Sequence, residues 1–176
     1  MAEVVIDTNV LLVADGQHQD ISDECLSACI ARLEQVKKSS TIVIDDEYRI
    51  LGEYQHKLSA NKSNSVGGVF LKWLLQNQTN TAHVAQVTLT ETAQGFFDEF
   101  PEAELQAEFD PPDRKFPAVA NAHLSKPPIL QATDSKWLNW WSSLADSGIR
   151  VEFLCPADIC RFYEQKFPDN AVPDLP

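Results

Sequence analysis

The chain has no apolar run near the roughly 18 residues a membrane-crossing helix needs. No basic flank or cleavage site precedes its first apolar stretch. A soluble, cytoplasmic protein without a membrane contact is therefore expected. No glycine-rich loop of the kind that cradles nucleotide phosphates is present, and no internal repeat. The cysteines, Cys25, Cys29, Cys155 and Cys160, leave three residues within the first pair and four within the second, so neither makes the tight knuckle of a structural zinc site. Reduced, mostly buried thiols are expected. Cations are scarce as well: 14 Lys and Arg face 26 Asp and Glu, a formal charge of -12. The chain as a whole lacks the basic footprint with which a nucleic-acid binder displaces counterions from phosphate.

An excess of acid has two physical uses. Carboxylates can gather around a divalent cation that neutralises them, or an acidic face can imitate nucleic acid or dock a basic partner. The charge is not evenly spread. From Glu91 to Asp113 there are eight acids and no Lys or Arg. Phe96, Phe97, Phe100, Leu105 and Phe109 interrupt this block, which points to an amphipathic element at about 91 to 109 and away from a disordered tail.

A length of 176 residues at 44% hydrophobic composition suits one domain spanning 1 to 176. EVVI (3 to 6) and VLLV (10 to 13) flank Asp7-Thr8-Asn9 and read as a buried strand ending in a polar turn. Leu26, Cys29, Ile30, Leu33 and Val36 recur at helical period, closing on Lys37 and Lys38. TIVID (41 to 45) is a second buried strand; 46 to 58 reads as a helix opened by acids; 63 to 68 reads as a loop and 69 to 75 as a short apolar helix. VAQVTL (84 to 89) is a further strand candidate. Beyond the prolines at 111 and 112 come a helix over 116 to 124, the strand ILQAT (129 to 133), a helix from Asp134, the strand VEFL (151 to 154) and a closing helix. This alternation predicts an α/β fold, a three-layer α/β/α sandwich with a mostly parallel central sheet.

In such sheets ligands bind in the crevice beyond the carboxyl ends of the strands. Asp7 follows VVI and Asp134 follows ILQAT; Glu53 on one helix and Asp113 ahead of another are placed to join them. Four converging carboxylates repel strongly unless a cation sits among them. Oxygen ligands without clustered His or Cys favour magnesium or manganese, and the chemistry such a site suits is phosphodiester hydrolysis. Each acid also has a plainer reading. Asp113 and Asp134 open helical runs and could be caps, Glu47 competes with Glu53, and Asp110 reads as a turn residue before the prolines. An unpartnered Asp7 between two apolar runs would cost several kcal/mol, which favours a site role. Trp137, Trp140 and Trp141 read as core or as a subunit interface, which leaves room for a homo-oligomer. His18, His56, His83 and His123 receive no role. Arg49, Lys57, Lys62, Arg114, Lys115 and Lys136 lie close in sequence to the acids, with Arg114, Lys115 and Lys136 the candidates for phosphate contact.

VVIDTNVLL, IDDEYRILGEY, DPPDRKFPAVANAH and QATDSKWL, in that order and ahead of VEFLCPADICRFY, resemble the motifs of the PIN-domain nucleases, in the branch that includes the toxins of bacterial toxin-antitoxin pairs. The resemblance spans nearly the whole chain, but each motif is short, and residues 78 to 109 depart from the pattern. It implies magnesium- or manganese-dependent cleavage of RNA, with DNA not excluded, leaving five-prime phosphate and three-prime hydroxyl ends. It implies Asp7, Asp113 and Asp134 as metal ligands, Glu53 as a ligand or as the group orienting the attacking water, and Asn9 and Thr133 as supports. An antitoxin or other regulatory protein is the implied partner. The competing expectation is a weak or inactive PIN-like interaction module whose acidic segment binds a basic protein. Haloacid-dehalogenase-type phosphatases are disfavoured, because the position two residues beyond Asp7 is Asn9, not a second acid.

Overall fold

Runs of buried aliphatic residues build the sheet. The computed structural model describes residues 1–58 and 64–176, and among these five parallel strands form one sheet. They are β1 (Ala2–Ile6), β2 (Ser40–Asp45), β3 (Val84–Val87), β6 (Ile129–Gln131) and β7 (Val151–Phe153). Val4, Val5 and Ile6 of β1 and Ile42, Val43 and Ile44 of β2 are buried on both faces, as central parallel strands require. Helices flank the sheet, giving the expected three-layer α/β/α architecture. They are α1 (Thr8–Ala14), α2 (Asp23–Ser39), α3 (Arg49–Lys57), α4 (Val66–Asn77), α6 (Lys115–Ala122), α7 (Trp141–Asp146) and α8 (Pro156–Lys166). The departing segment holds the two-stranded hairpin β4 (Glu91–Ala93) and β5 (Phe96–Phe97) and the short helix α5 (Ala103–Glu108).

Successive strands run outward from β1 through β2 to β3, and the order then jumps back across β1 to β6 and β7. That reversal places the crevice between the carboxyl ends of β1 and β6, where Asp7 and Asp134 emerge.

Several local expectations need correction. VLLV is helical: Asp7 ends the strand and caps α1, its Oδ1 accepting from the Asn9 N–H at 2.8 Å. The cap switches the backbone from strand to helix in the middle of one apolar run. Helix α3 starts later than expected, at Arg49. Its opening acid is Asp45, which is fully buried and accepts from the Arg49 and Ile50 N–H groups at 2.9 and 3.0 Å. Asp46 and Glu47 lie in the preceding turn. Helix α4 begins inside the stretch read as a loop, with the Ser65 side chain capping the Gly68 N–H at 3.2 Å. Ser63 and Lys62 lie outside the described residues. The helix expected from Asp134 is a 3-10 turn (Ser135–Asn139) followed by α7.

Nor are the cysteines all reduced. Cys25 on α2 and Cys155 at the start of α8 form a disulfide across 130 residues, while Cys29 and Cys160 are free. The Cys29 thiol lies 3.7 Å from the Cys155 sulfur and burial pushes its pKa up to about 12, so it stays protonated. The tryptophans serve mainly the core: Phe109 stacks on Trp140 at 4.0 Å and meets the edge of Trp137 at 5.4 Å.

Candidate active site

Two strand ends, a helix and a short 3-10 turn supply the acids. Asp7 is 3% exposed. With Oδ1 committed to the Asn9 N–H, its Oδ2 is buried without any hydrogen-bond partner among the described residues. Behind it the Tyr54 hydroxyl, itself buried, donates to the Ile6 carbonyl and fixes α3 to the end of β1. That anchorage carries the neighbouring Glu53 to the crevice, where Glu53 Oε1 accepts from the Thr8 hydroxyl at 2.6 Å. On the other side of the strand reversal, Asn9 Oδ1 accepts from the Thr133 N–H at 2.6 Å and from its hydroxyl at 2.9 Å. Asn9 and Thr133 therefore tie the turn after β1 to the loop after β6, directly beside Asp134. Asp134 accepts from the Lys136 N–H at 3.3 Å and so caps its own 3-10 turn. Its cap role and its place in the crevice coexist.

The electrostatics show that these acids share one space. Burial, and then the charges of Asp113 and Asp134, hold the Asp7 carboxyl well above the usual carboxylate range against the opposing Asn9 N–H. Burial followed by repulsion from Asp134 and Asp110 lifts Asp113 to about 7. Burial raises Asp134 too, opposed by the Lys136 N–H and the charges of Lys166 and Lys136. Yet no three of their oxygens close to within 4.8 Å of one another; among the described residues only Cys25, Cys29 and Cys155 offer ligand atoms that close together, and two of those are joined as a disulfide. The carboxylates thus do not form a closed three-ligand cage. A hydrated cation bound by one or two carboxylates and several waters suits such an open arrangement. The buried, unpartnered oxygen of Asp7 and the mutual repulsion of the acids are compatible with a small divalent cation, which Asp7, Asp113 and Asp134 could hold.

No family model, no curated protein and no solved structure matches this chain.

The expected phosphate contacts are placed differently. Arg114 is 6% exposed and faces inward. Its Nε donates to the carbonyls of Gln106 and Phe109 at 2.9 and 3.2 Å, its Nη1 to Gly95 at 3.3 Å, and its guanidinium lies 4.0 Å from the centre of the Phe96 ring. It pins the acidic hairpin beside Asp113 and is committed to that role, away from phosphate. Lys115, 7% exposed, donates to Glu53 Oε2 and to the Pro112 carbonyl. Lys136 is ion-paired with Asp110. Carbonyls and carboxylates compete with any phosphate for these donors.

Two contributors were not singled out from the sequence. Asp110, read as a turn residue, adds negative charge that acts on Asp113 and Asp134. Lys166, at the end of α8, acts on Asp134 across the fold. The signal for Lys166 is its helical spacing from Phe162, which puts both on one face.

Proposed function

We propose that this chain is a metal-dependent nuclease that hydrolyses RNA phosphodiester bonds, and the observation that carries the reading is the buried, unpartnered Asp7 Oδ2 among mutually repelling carboxylates at a sheet reversal. The motif order shared with PIN-domain nucleases agrees with it. When bound, magnesium or manganese would supply an activated water and charge neutralisation at the leaving oxygen. Asp7, Asp113 and Asp134 would hold it. Glu53, steadied by Thr8 and Lys115, would orient the attacking water. Asn9 and Thr133 keep the two loops at fixed separation. A cytoplasmic toxin restrained by an antitoxin is the cellular setting this reading suggests. Incubation of the purified chain with manganese and labelled RNA tests it: cleavage lost on Asp7→Asn supports hydrolysis at this site, and intact RNA and DNA under all such conditions overturns it.

A second reading has its own observation. The hairpin and α5 enclose a groove of about 510 Å³ walled by Phe96, Phe97, Phe100 and Ala103 within the acidic block. An apolar groove with Asp98 in its wall, set in an acidic segment, suits a basic, amphipathic protein segment. Deleting 91 to 109 would remove that binding.

A further inference from the structure

The nuclease reading leaves one question that the crevice itself does not answer: what holds a polyanion beside so many carboxylates. Lys115 and Lys136 are neutralised by Glu53 and Asp110. The crevice, however, opens sideways into a groove of about 430 Å³. Asn9, Thr133 and Asp134 form one wall of it; His18, from the segment after α1, with Phe162 and Lys166 of α8, form the other. Lys166 has no acidic partner within ion-pair distance among the described residues. The His18 and Phe162 rings lie 5.3 Å apart, inclined at 41°, with the Arg161 guanidinium 4.5 Å from the Phe162 ring centre.

We infer that this groove is a subsite for the nucleotide next to the scissile phosphate, with its base against the His18 and Phe162 rings and its phosphate at Lys166. The ligand's identity rests on the nuclease reading. Aromatic faces with a nearby cation are how proteins hold unpaired bases without regard to sequence, because every base has a π face. The ligand class follows: a base stacked in a duplex cannot lie against these rings, so the substrate is single-stranded. The groove also supplies one cation, Lys166, for a single phosphate of a nucleic-acid ligand on a chain whose overall charge is -12.

The test uses a fluorogenic single-stranded RNA with manganese, and fluorescence anisotropy of a labelled strand with the metal-free chain. Phe162→Leu keeps an apolar side chain and removes the π face; it raises KM about 5-fold or more with kcat little changed, while Phe162→Trp retains a low KM. Lys166→Gln weakens binding and reduces the slope of log affinity against log salt by about 0.7, as expected for one lost phosphate contact, whereas Lys72→Gln on α4, outside the groove, does not. A duplex of the same sequence does not compete. If the wild type cleaves and both groove variants keep its KM and salt slope, the subsite is wrong and the nuclease reading stands. If nothing is cleaved but binding depends on Phe162 and Lys166, the groove stands as a single-stranded nucleotide site and hydrolysis falls. Neither cleavage nor binding overturns both.

Discussion

The ammonium of Lys115 reaches the Glu53 carboxylate from within the protein, and the same ammonium bonds the Pro112 carbonyl next to Asp113. A cation is thus built into the acidic crevice, offsetting part of its repulsion. Lys115→Met removes it. The metal-free protein should lose about 1–3 kcal/mol, the cost of leaving a partly buried charged group unpartnered, while manganese should bind several-fold more tightly because a competing positive charge is gone. Denaturant titration and calorimetry with manganese check the two halves.

Asp7 carries two duties on two oxygens, and substitutions separate them. An asparagine side chain at this position can still cap α1 but brings no charge, so Asp7→Asn should raise the melting temperature without metal, abolish stabilisation by manganese and eliminate hydrolysis. Asp7→Ala also loses the cap, which costs about 0.5–2 kcal/mol. An Asp7→Asn protein that manganese stabilises as strongly as wild type would remove Asp7 from the site.

The raised carboxyls set a pH dependence. Asp7, Asp113 and Asp134 retain protons in the folded chain at pH values where the unfolded chain has released them. Their contribution to stability is full below the ordinary carboxylate value and is lost as pH rises through about 7, where Asp113 ionises. Metal-free protein should therefore melt lower at about pH 8 than at about pH 5.5. Manganese, which requires the ionised acids, should reverse that order. Melting curves over this range with and without metal decide it.

Arg114 should behave as a structural clasp. Arg114→Met forfeits three donations to carbonyls and the contact with Phe96, at a cost of about 2–4 kcal/mol, and it exposes the hairpin to proteolysis between β4 and β5. An Arg114 phosphate contact would instead weaken RNA binding with no change in protease sensitivity.

The Cys25–Cys155 disulfide closes a very long loop. By chain entropy such a bridge adds up to about 5 kcal/mol. Reduction, or Cys25→Ser, should lower the denaturation midpoint accordingly, whereas Cys29→Ser should have a much smaller effect. Equal effects for both would show that the sulfurs pack and do not constrain.

Central strands were readable because burial on both faces leaves unbroken aliphatic runs, and β1 and β2 appear where such runs occur. The same rule misjudged VLLV, since Val and Leu favour either structure and only the Asp7 cap decides between them. Asp7 and Asp134 could be placed from their positions after strands. Glu53 and Asp113 could be nominated, but their approach depends on how α3 and α6 dock. The direction of Arg114 and the pairing of Cys25 with Cys155 are long-range facts with no local periodic signature. Lys166 lies far beyond Asp134 in the sequence yet acts on its charge.

The divided labour of Asp7 has a genetic consequence. Aspartate and asparagine codons differ by one base, so a single transition would yield a chain that caps α1, keeps its crevice less charged and folds at least as well, yet on the proposed nuclease reading loses the charge that hydrolysis needs. That step carries no folding penalty, and selection for stability alone would favour it. Persistence of aspartate at this position in a lineage would therefore record selection for the chemistry itself.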